Sequence, residues 1–273
     1  MENGTISYTQ LLREDLGIFR VTPDDGVPDF KAGQFLTLGL PLDSKIVNRA
    51  YSITSSPQNK NFFEFVIRWV RRPLPGRLTS LLFNAKEGDK ISWAKPAGNL
   101  TINDTLPNGE KDTRRIVCIG GGTGLAPFVS FAQHLHDTND KREIVVLHGA
   151  SYVDELSYKQ LLTDLENESI DKGKNKWNFT YRAAISRPDE WTNRSWVGHK
   201  GRIEQFLRPT DNGKSALEEL VGEQITKENT IFYVCGWQGT IDGTMDYLTN
   251  KNFVTEKNKR EDGSFEVKFE SYG

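Results

Sequence analysis

Two short stretches of this chain carry residue types that suit nucleotide chemistry. Residues 49–52 read Arg-Ala-Tyr-Ser, and residues 120–127 read Gly-Gly-Gly-Thr-Gly-Leu-Ala-Pro. A tyrosine ring can stack on a planar ring, a serine hydroxyl can bond the edge of that ring, and an arginine can pair with a phosphate as a fork. A glycine turn that opens a helix lets backbone N–H groups approach a diphosphate. Two nucleotide sites on one polypeptide would suit the movement of hydride. The plainer alternatives are a half-buried strand and a tight strand–helix turn without a ligand.

Further stretches fit the binding of anions. Residues 76–80 (Gly-Arg-Leu-Thr-Ser) follow a strand and open a helical patch, which makes a small anion site; alternatively Thr79 or Ser80 caps the helix. Arg187 ends a predicted strand and Arg202 follows Gly201. Because strand C-termini face the ligand crevice of a parallel sheet, two arginines there would suit the extra phosphate of NADP. The alternative is that both are surface arginines.

Two positions near the end of the chain could approach a flat ring. Cys235 and Gly236 end another predicted strand, where a small thiol and a glycine would admit a nicotinamide. A nucleophilic role for Cys235 needs an activating base, and none is nearby in sequence; the alternative is a buried apolar cysteine. Tyr272 follows an alternating strand, so we expect it to be held in place rather than frayed.

The elements that must position these residues change in character along the chain. Residues 1–103 read as short strands broken by turns, typical of a β-barrel or sandwich. Residues 104–115 are polar and mark a domain boundary, and residues 104–273 alternate strands with helices, which indicates a parallel α/β sheet. The predicted strands cover 18–21, 35–40, 51–54, 62–70, 90–93, 115–119, 143–148, 178–185, 230–235 and, at an edge, 265–272; the predicted helices cover 78–84, 126–136, 156–168 and 203–207.

The composition excludes several classes of protein. A net charge of -2 over 273 residues argues against a nucleic-acid-binding protein. The sequence contains no apolar run of membrane-spanning length and no visible secretory signal, so we expect a cytoplasmic protein without membrane insertion. We also expect a monomer. Two cysteines are too few for a cysteine-ligated iron–sulfur cluster, and four scattered histidines lack zinc spacing, so we expect no metal.

Taken in order, these motifs resemble the ferredoxin/flavodoxin–NADP(+) reductase family, particularly its bacterial type. Besides the stretches above, residues 148–152 (His-Gly-Ala-Ser-Tyr) and 156–158 (Leu-Ser-Tyr) contribute to a resemblance that covers nearly the whole chain. It implies an FAD-binding, six-stranded antiparallel barrel at residues 1–103 and a Rossmann-like NADP-binding domain at 104–273, with a C-terminal tail that returns to the flavin.

The resemblance also implies roles for individual residues. The residues implied to bind FAD are Arg49, Ala50, Tyr51, Ser52, Val66, Ile67, Arg68, Trp69, Arg77, Leu78, Thr79 and Tyr272. Those implied to lie near the nicotinamide nucleotide are Gly122, Ala150, Ser151, Ser186, Arg187, Arg202 and Asp242, the last in the turn after Gly236. Thr123 is implied to lie near both cofactors. Hydride would pass near Ser52 and Cys235, and Tyr272 would shield the flavin; these three are the implied catalytic residues.

The chain departs from the family pattern in two places. Some bacterial relatives end in a tryptophan that stacks on adenine, whereas this chain ends in Gly273, so the adenine of FAD would be loosely held. Where several relatives have a second arginine, this chain has Pro188 and Asp189. The following loop is rich in tryptophan, with Trp191 and Trp196, for which packing in the core or on the surface is the simplest role.

The expected function is electron transfer between NADP(H) and a one-electron carrier, ferredoxin or flavodoxin. Arginines 68, 71, 72 and 77 could form a docking patch for an acidic carrier, or simply a solvated strand end. Two alternatives remain open: the NAD(P)H-dependent reductase component of an oxygenase system, and a flavin-free binding module of the same fold.

Overall fold

The computed structural model describes residues 1–71, 74–173 and 177–272. These residues form two compact units. The first comprises Met1–Ile102 together with Ala126–Thr138, and the second comprises Asn103–Leu125 together with Asn139–Gly273. No helix within the described ranges is both long enough and apolar enough to cross a bilayer.

The first unit is built on an antiparallel sheet. Its six strands are β1 (Glu2–Arg13), β2 (Leu16–Pro23), β3 (Phe35–Leu42), β4 (Lys45–Ser52), β5 (Phe63–Arg68) and β6 (Lys90–Trp93). They lie in the order β4-β3-β6-β1-β2-β5. Just beyond β4, the Thr54 backbone N–H donates to the Glu64 carbonyl of β5 over 2.8 Å, which joins the two outer strands. The predicted antiparallel barrel is therefore confirmed.

Large aromatic side chains fill the interior of this sheet. Phe63 and Trp93 meet edge to face with 5.3 Å between ring centroids, and Ile6, Phe19 and Phe65 are buried in the same cluster. Such rings contribute more buried apolar area per residue than any other side chain, so this core holds the strand ends in fixed positions.

Two helices pack in the first unit. Helix α1 (Arg77–Asn84) contacts β3 and β4. Helix α2 (Ala126–Asp137) is attached through side-chain donors: the Ser130 hydroxyl donates to the Ser55 carbonyl and the Gln133 amide to the Thr54 carbonyl, each over 2.8 Å. The loop that follows β4 is thus held from the helix side as well as by β5.

The second unit is built on a parallel sheet, as predicted. Its strands are β7 (Arg115–Gly121), β8 (Ile144–Ala150), β9 (Phe179–Ile185), β10 (His199–Lys200), β11 (Thr230–Gly236) and β12 (Val267–Ser271), and its helices are α3 (Lys159–Lys172), α4 (Ala216–Val221) and α5 (Gln238–Asn250). The order is β10-β9-β8-β7-β11-β12. Because the chain runs outward from β7 in one direction and returns at β11, the strand order reverses between these two strands, and a ligand crevice is expected at their carboxyl ends.

Several predicted elements have other bounds in the structure. The strand predicted at 51–54 overlaps only the end of a longer strand, β4, which stops at Ser52. The earlier residues of β4 are mostly exposed and so lack the apolar signal of a buried strand. The helix predicted at 156–168 is α3, which begins only at Lys159 because Tyr158 before it has a left-handed backbone, with φ of 57°. The edge strand predicted at 265–272 is confirmed as β12, shortened to Val267–Ser271.

Candidate cofactor sites

The end of β4 carries an exposed arginine and a tyrosine whose hydroxyl is orphaned. Arg49 and Ala50 are exposed, whereas Ser52 is buried. The ring of Tyr51 packs against the aromatic core of the first unit. Its hydroxyl is buried and meets no hydrogen-bond partner in the described part of the chain. Burial raises the pKa of Tyr51, and the nearby Arg49 charge opposes this. A ligand with a polar edge would satisfy the orphaned hydroxyl.

At the end of β5, the backbone is better placed than the side chains to contact a ligand. Val66 and Ile67 are buried in the sheet, so any contact they make with a ligand would come from the main chain. Arg68 pairs with the Asp15 carboxylate at 2.9 Å. The Trp69 ring packs against Phe83, with 5.5 Å between centroids. Arg68 is therefore engaged with the protein itself, whereas the indole N–H of Trp69 is buried and meets no hydrogen-bond partner among the described residues.

Helix α1 begins without a side-chain cap among the described residues. Its N-cap is Gly76, and the hydroxyls of Thr79 and Ser80 both donate to the Gly76 carbonyl, over 3.0 and 2.8 Å, instead of accepting from the N–H groups of the first turn. The alternative in which Thr79 or Ser80 caps the helix is wrong. Arg77 is exposed at this end, and Leu78 is buried. Uncapped N–H groups beside an exposed arginine suit a diphosphate.

These three places lie on neighbouring elements of the first unit. Helix α1 contacts β4, and β4 also contacts β5. Arg71, one of the arginines of the predicted docking patch, is exposed, stacks over the Trp69 ring at 4.3 Å and pairs with Glu14 at 3.5 Å. Arg72, another member of that patch, lies outside the described residues, as does Gly273.

In the second unit, the glycine turn lies at the point where the strand order reverses. Gly122 has φ of 57°, and a Cβ added there would meet nothing within 4 Å. Its neighbours are packed tightly instead: a Cβ at Gly121 would lie 2.6 Å from the Thr240 hydroxyl, and one at Gly124 would overlap the Cys235 carbonyl. Thr123 is half-buried. Gly122 therefore keeps the turn open, while Gly121 and Gly124 allow close approach of β11 and α5.

Cys235 and Tyr272 meet at the carboxyl end of β11. Cys235 is fully buried, and burial raises the pKa of its thiol well above the usual range. A hydrogen bond from the Tyr272 side chain opposes that shift, and the Tyr272 backbone N–H donates to the Gly236 carbonyl over 3.1 Å. A thiol in this setting stays protonated, so it is no nucleophile.

The ends of β8 and β9 bring the remaining predicted residues together. The Ser186 N–H donates to the Ala150 carbonyl over 2.9 Å. Ser186 and Arg187 are exposed, and Arg187 donates to the Tyr152 hydroxyl over 2.8 Å. The Ser151 N–H donates to the Glu155 carboxylate over 3.1 Å, and Ser151 is half-buried.

Arg202 and Asp242 lie elsewhere in the second unit. Arg202 is exposed but pairs with the buried carboxylate of Glu204. Asp242 lies within helix α5, not in the turn after Gly236, and it accepts a hydrogen bond from Gln238 over 2.7 Å. Gly239 and Gly243 are poor helix formers, so this segment carries little helical signal; in the fold, Gly243 makes room for Glu204, since a Cβ there would lie 3.0 Å from the Glu204 side chain.

Two residues that sequence reasoning missed support this region. Asn193 donates to the carbonyls of Ser151 and Arg187 over 2.9 and 2.8 Å. His148 is fully buried directly before the end of β8 and lies 3.2 Å from the Tyr181 hydroxyl; burial lowers its pKa to about 4. His148 stood within a motif of the resemblance but was given no role. A single asparagine in a loop carries no periodic signal, so Asn193 could not be found from the sequence.

Comparison with known proteins identifies the family. Residues 4–102 match the oxidoreductase FAD-binding domain, and residues 118–246 match the oxidoreductase NAD-binding domain. The chain is 30% identical to the ferredoxin–NADP reductase of Azotobacter vinelandii over 221 residues, which cover 80% of this chain and 78% of that protein. The chain belongs to the ferredoxin/flavodoxin–NADP reductase family. Another relative, the flavodoxin/ferredoxin–NADP reductase of Escherichia coli (strain K12), is 29% identical over 219 residues, 80% of this chain and 79% of its own.

Solved structures agree on the fold of the ferredoxin/flavodoxin–NADP reductase family. A ferredoxin NADP+ reductase from Neisseria gonorrhoeae, solved with bound FAD and NADP, superposes with a TM-score of 0.77 at 22% identity and covers 98% of this chain and 97% of that one. The predicted two-domain class, the resemblance and the FAD and nicotinamide cofactors are thereby confirmed, and the chain is an oxidoreductase of this family.

The residues present fit both cofactors of the ferredoxin/flavodoxin–NADP reductase family. For FAD, the first unit supplies the orphaned hydroxyl of Tyr51, the exposed Arg49 and the uncapped start of α1. For the nicotinamide dinucleotide, the second unit supplies the open turn at Gly122 and the exposed Arg187. The roles of individual residues remain predictions.

Proposed function

We propose that this protein exchanges electrons between NADP(H) and a one-electron carrier protein, ferredoxin or flavodoxin, through FAD. The observation that carries the proposal is the set of residues at the carboxyl ends of the strands in the second unit. An open glycine turn lies where the strand order reverses, and exposed arginines follow β9. The names of the relatives from Azotobacter vinelandii and Escherichia coli support the same activity.

The preference for NADP(H) over NAD(H) rests on charge. Arg187 is exposed, and the Tyr152 hydroxyl that it contacts at 2.8 Å orients its guanidinium. A planar guanidinium suits a phosphate dianion such as the one on the adenosine ribose of NADP. Arg202 adds less, because the Glu204 carboxylate beside it cancels part of its charge. Arg187 is therefore the main determinant of cofactor choice.

The chain's own residues bind and orient the cofactors. When bound, FAD supplies the chemistry that exchanges a hydride with nicotinamide and single electrons with the carrier. Tyr51 offers a ring face and a hydroxyl to the flavin, and the first turn of α1 with Arg77 offers N–H groups and charge to the diphosphate. Cys235 stays a neutral thiol and serves as a small neighbour of the nicotinamide, without forming a covalent bond.

The docking patch for the carrier is weaker than the count of arginines indicates. Arg68 faces Asp15 at 2.9 Å, and Arg71 faces Glu14 at 3.5 Å. Each carboxylate cancels part of the positive potential that would attract an acidic carrier. Arg77 at the start of α1, with exposed Arg71, would provide the remaining attraction. The cytoplasmic location and the monomeric state stay predictions from the sequence.

A kinetic experiment tests the proposed function. The purified protein should be yellow, should show flavin absorbance, and should reduce ferredoxin or flavodoxin with NADPH in stopped-flow measurements. A higher kcat/KM with NADH and an oxygenase-type ferredoxin would favour the reductase component of an oxygenase system. A colourless protein that takes up no FAD would refute the proposal and favour a binding module.

A further inference from the structure

An exposed tryptophan lies in the loop that follows β9. Trp191 begins a short 3-10 helix, Trp191–Asn193, and 68% of its surface is accessible to solvent. The fold thus gives this ring no place in the core, which leaves surface packing of the two roles that the sequence suggested. Single exposed apolar side chains are common, so exposure by itself says little. The position of this ring is what distinguishes it.

The loop that carries Trp191 is fixed to the ends of two strands. Asn193, which is 1% exposed, accepts from the Val153 N–H over 2.9 Å and donates to the carbonyls of Ser151 and Arg187. The Glu190 N–H also donates to the Arg187 carbonyl, over 3.2 Å. These bonds fix the loop that carries Trp191 to the residues that follow β8 and β9, and a loop fixed in advance loses little freedom on binding a ligand.

A cationic group lies against the Trp191 ring, although the exposed carboxylates of Asp189 and Glu190 directly precede it in the chain. The Arg194 guanidinium lies 3.9 Å from the centroid of the Trp191 ring. Nearby, the Arg187 guanidinium lies 5.4 Å from the centroid of the Tyr152 ring. Two arginine–aromatic pairs on neighbouring segments combine flat faces with cationic groups. That combination matches a nucleotide that has a flat base and an extra phosphate on its ribose.

We propose that Trp191 is the stacking platform for the adenine of NADP(H), and that Arg194 holds the indole from one side. The inference rests on the proposed function and extends it, because it assigns the base to a residue of this loop and the ribose phosphate to Arg187. Stacking on an aromatic ring tolerates any base, so Trp191 supplies affinity, whereas Arg187 supplies the choice between NADP and NAD.

Equilibrium binding to the purified flavoprotein tests this assignment. The probes are 2′,5′-ADP, which has the extra phosphate, and 5′-AMP, which lacks it. In Trp191→Ala, the Kd for both should rise about tenfold or more, since base stacking on an aromatic side chain is commonly worth at least that much. Trp191→Phe keeps a flat ring and should recover most of the affinity. Ile170→Ala removes another exposed apolar side chain, on α3, and should leave both Kd values unchanged.

The outcomes separate this inference from the proposed function. If Trp191→Ala binds both nucleotides with wild-type affinity, Trp191 is not the stacking platform. If Trp191→Phe and Trp191→Ala lose the same affinity, the platform is also overturned, because the ring would then act only through the fold of the loop. If the wild type binds both nucleotides equally and Trp191→Ala loses both, the platform stands and the choice of NADP fails. A wild type that binds neither nucleotide overturns both.

Discussion

Gly124 lies so close to Cys235 that no side chain fits between them: a Cβ added at Gly124 would overlap the Cys235 carbonyl oxygen and lie 2.6 Å from the Cα of Gly236. The turn after β7 and the end of β11 therefore touch through their backbones. This contact sets the shape of the crevice edge where the strand order reverses.

Gly124→Ala should destabilise the protein by about 1–3 kcal/mol, because a methyl group forced against backbone cannot relax. Urea denaturation would measure the change. Gly109→Asn is the matched control: a Cβ there meets nothing within 4 Å, and asparagine tolerates the positive φ of 85° at that position. Equal stability of the alanine variant and the wild type would contradict the close contact.

Arg187→Ala should raise the KM for NADPH about tenfold or more and change the KM for NADH little. The variant lacks the guanidinium, so the ribose phosphate of NADPH would lose a charge-assisted hydrogen bond that NADH never makes. Steady-state kinetics with each cofactor would measure this. Arg208→Ala, which removes another exposed arginine, should change neither value. Equal effects on both cofactors would refute the phosphate role of Arg187.

Tyr51→Phe separates ligand binding from folding. The hydroxyl of Tyr51 is buried and meets no partner among residues 1–71, 74–173 and 177–272, so its removal should leave the flavin-free protein as stable or stabilise it by up to about 1 kcal/mol. If the hydroxyl bonds bound FAD, the same variant should bind FAD about five- to tenfold more weakly. Reconstitution followed by flavin fluorescence gives the Kd. An unchanged Kd would show that the flavin does not use this hydroxyl.

His148 should make stability depend on pH. Burial lowers its pKa in the folded protein to about 4, from 6.5 in the unfolded chain. Between these values the unfolded chain binds a proton that the folded protein does not, so stability falls as the pH drops from 6.5 towards 4. The expected loss is about 3 kcal/mol.

Urea titrations at several pH values would show this slope. His148→Gln should reduce it, whereas His136→Gln, which changes a half-buried histidine beside Asp137 at the end of α2, should retain it. A slope that persists undiminished in His148→Gln would place its origin in other groups.

The fold class followed from the sequence because strand and helix periodicity changes sharply near residue 104. The glycine turn was also predictable, since Gly120, Gly122 and Gly124 stand between an apolar strand and an apolar helix. Side-chain pairings were not predictable, whether local or long-range. The local pairing of Arg202 with Glu204 weakens an arginine that looked free. Asn193 fixes a loop through a long-range bond to the Ser151 carbonyl that leaves no pattern in the sequence. Helix α5 was missed because Gly239 and Gly243 serve tertiary contacts with Arg202 and Glu204 at the expense of helix propensity.

Helix α2 has a consequence for exchanging parts between relatives. It follows the glycine turn in sequence, yet its Ser130 and Gln133 side chains bond the loop after β4. A chimera joined at residue 103 would combine one parent's loop with another parent's helix, and mismatched donors there would remove the two bonds from α2 to the carbonyls of Thr54 and Ser55. Recombination should therefore succeed only when residues 54–55 and 126–138 come from the same parent.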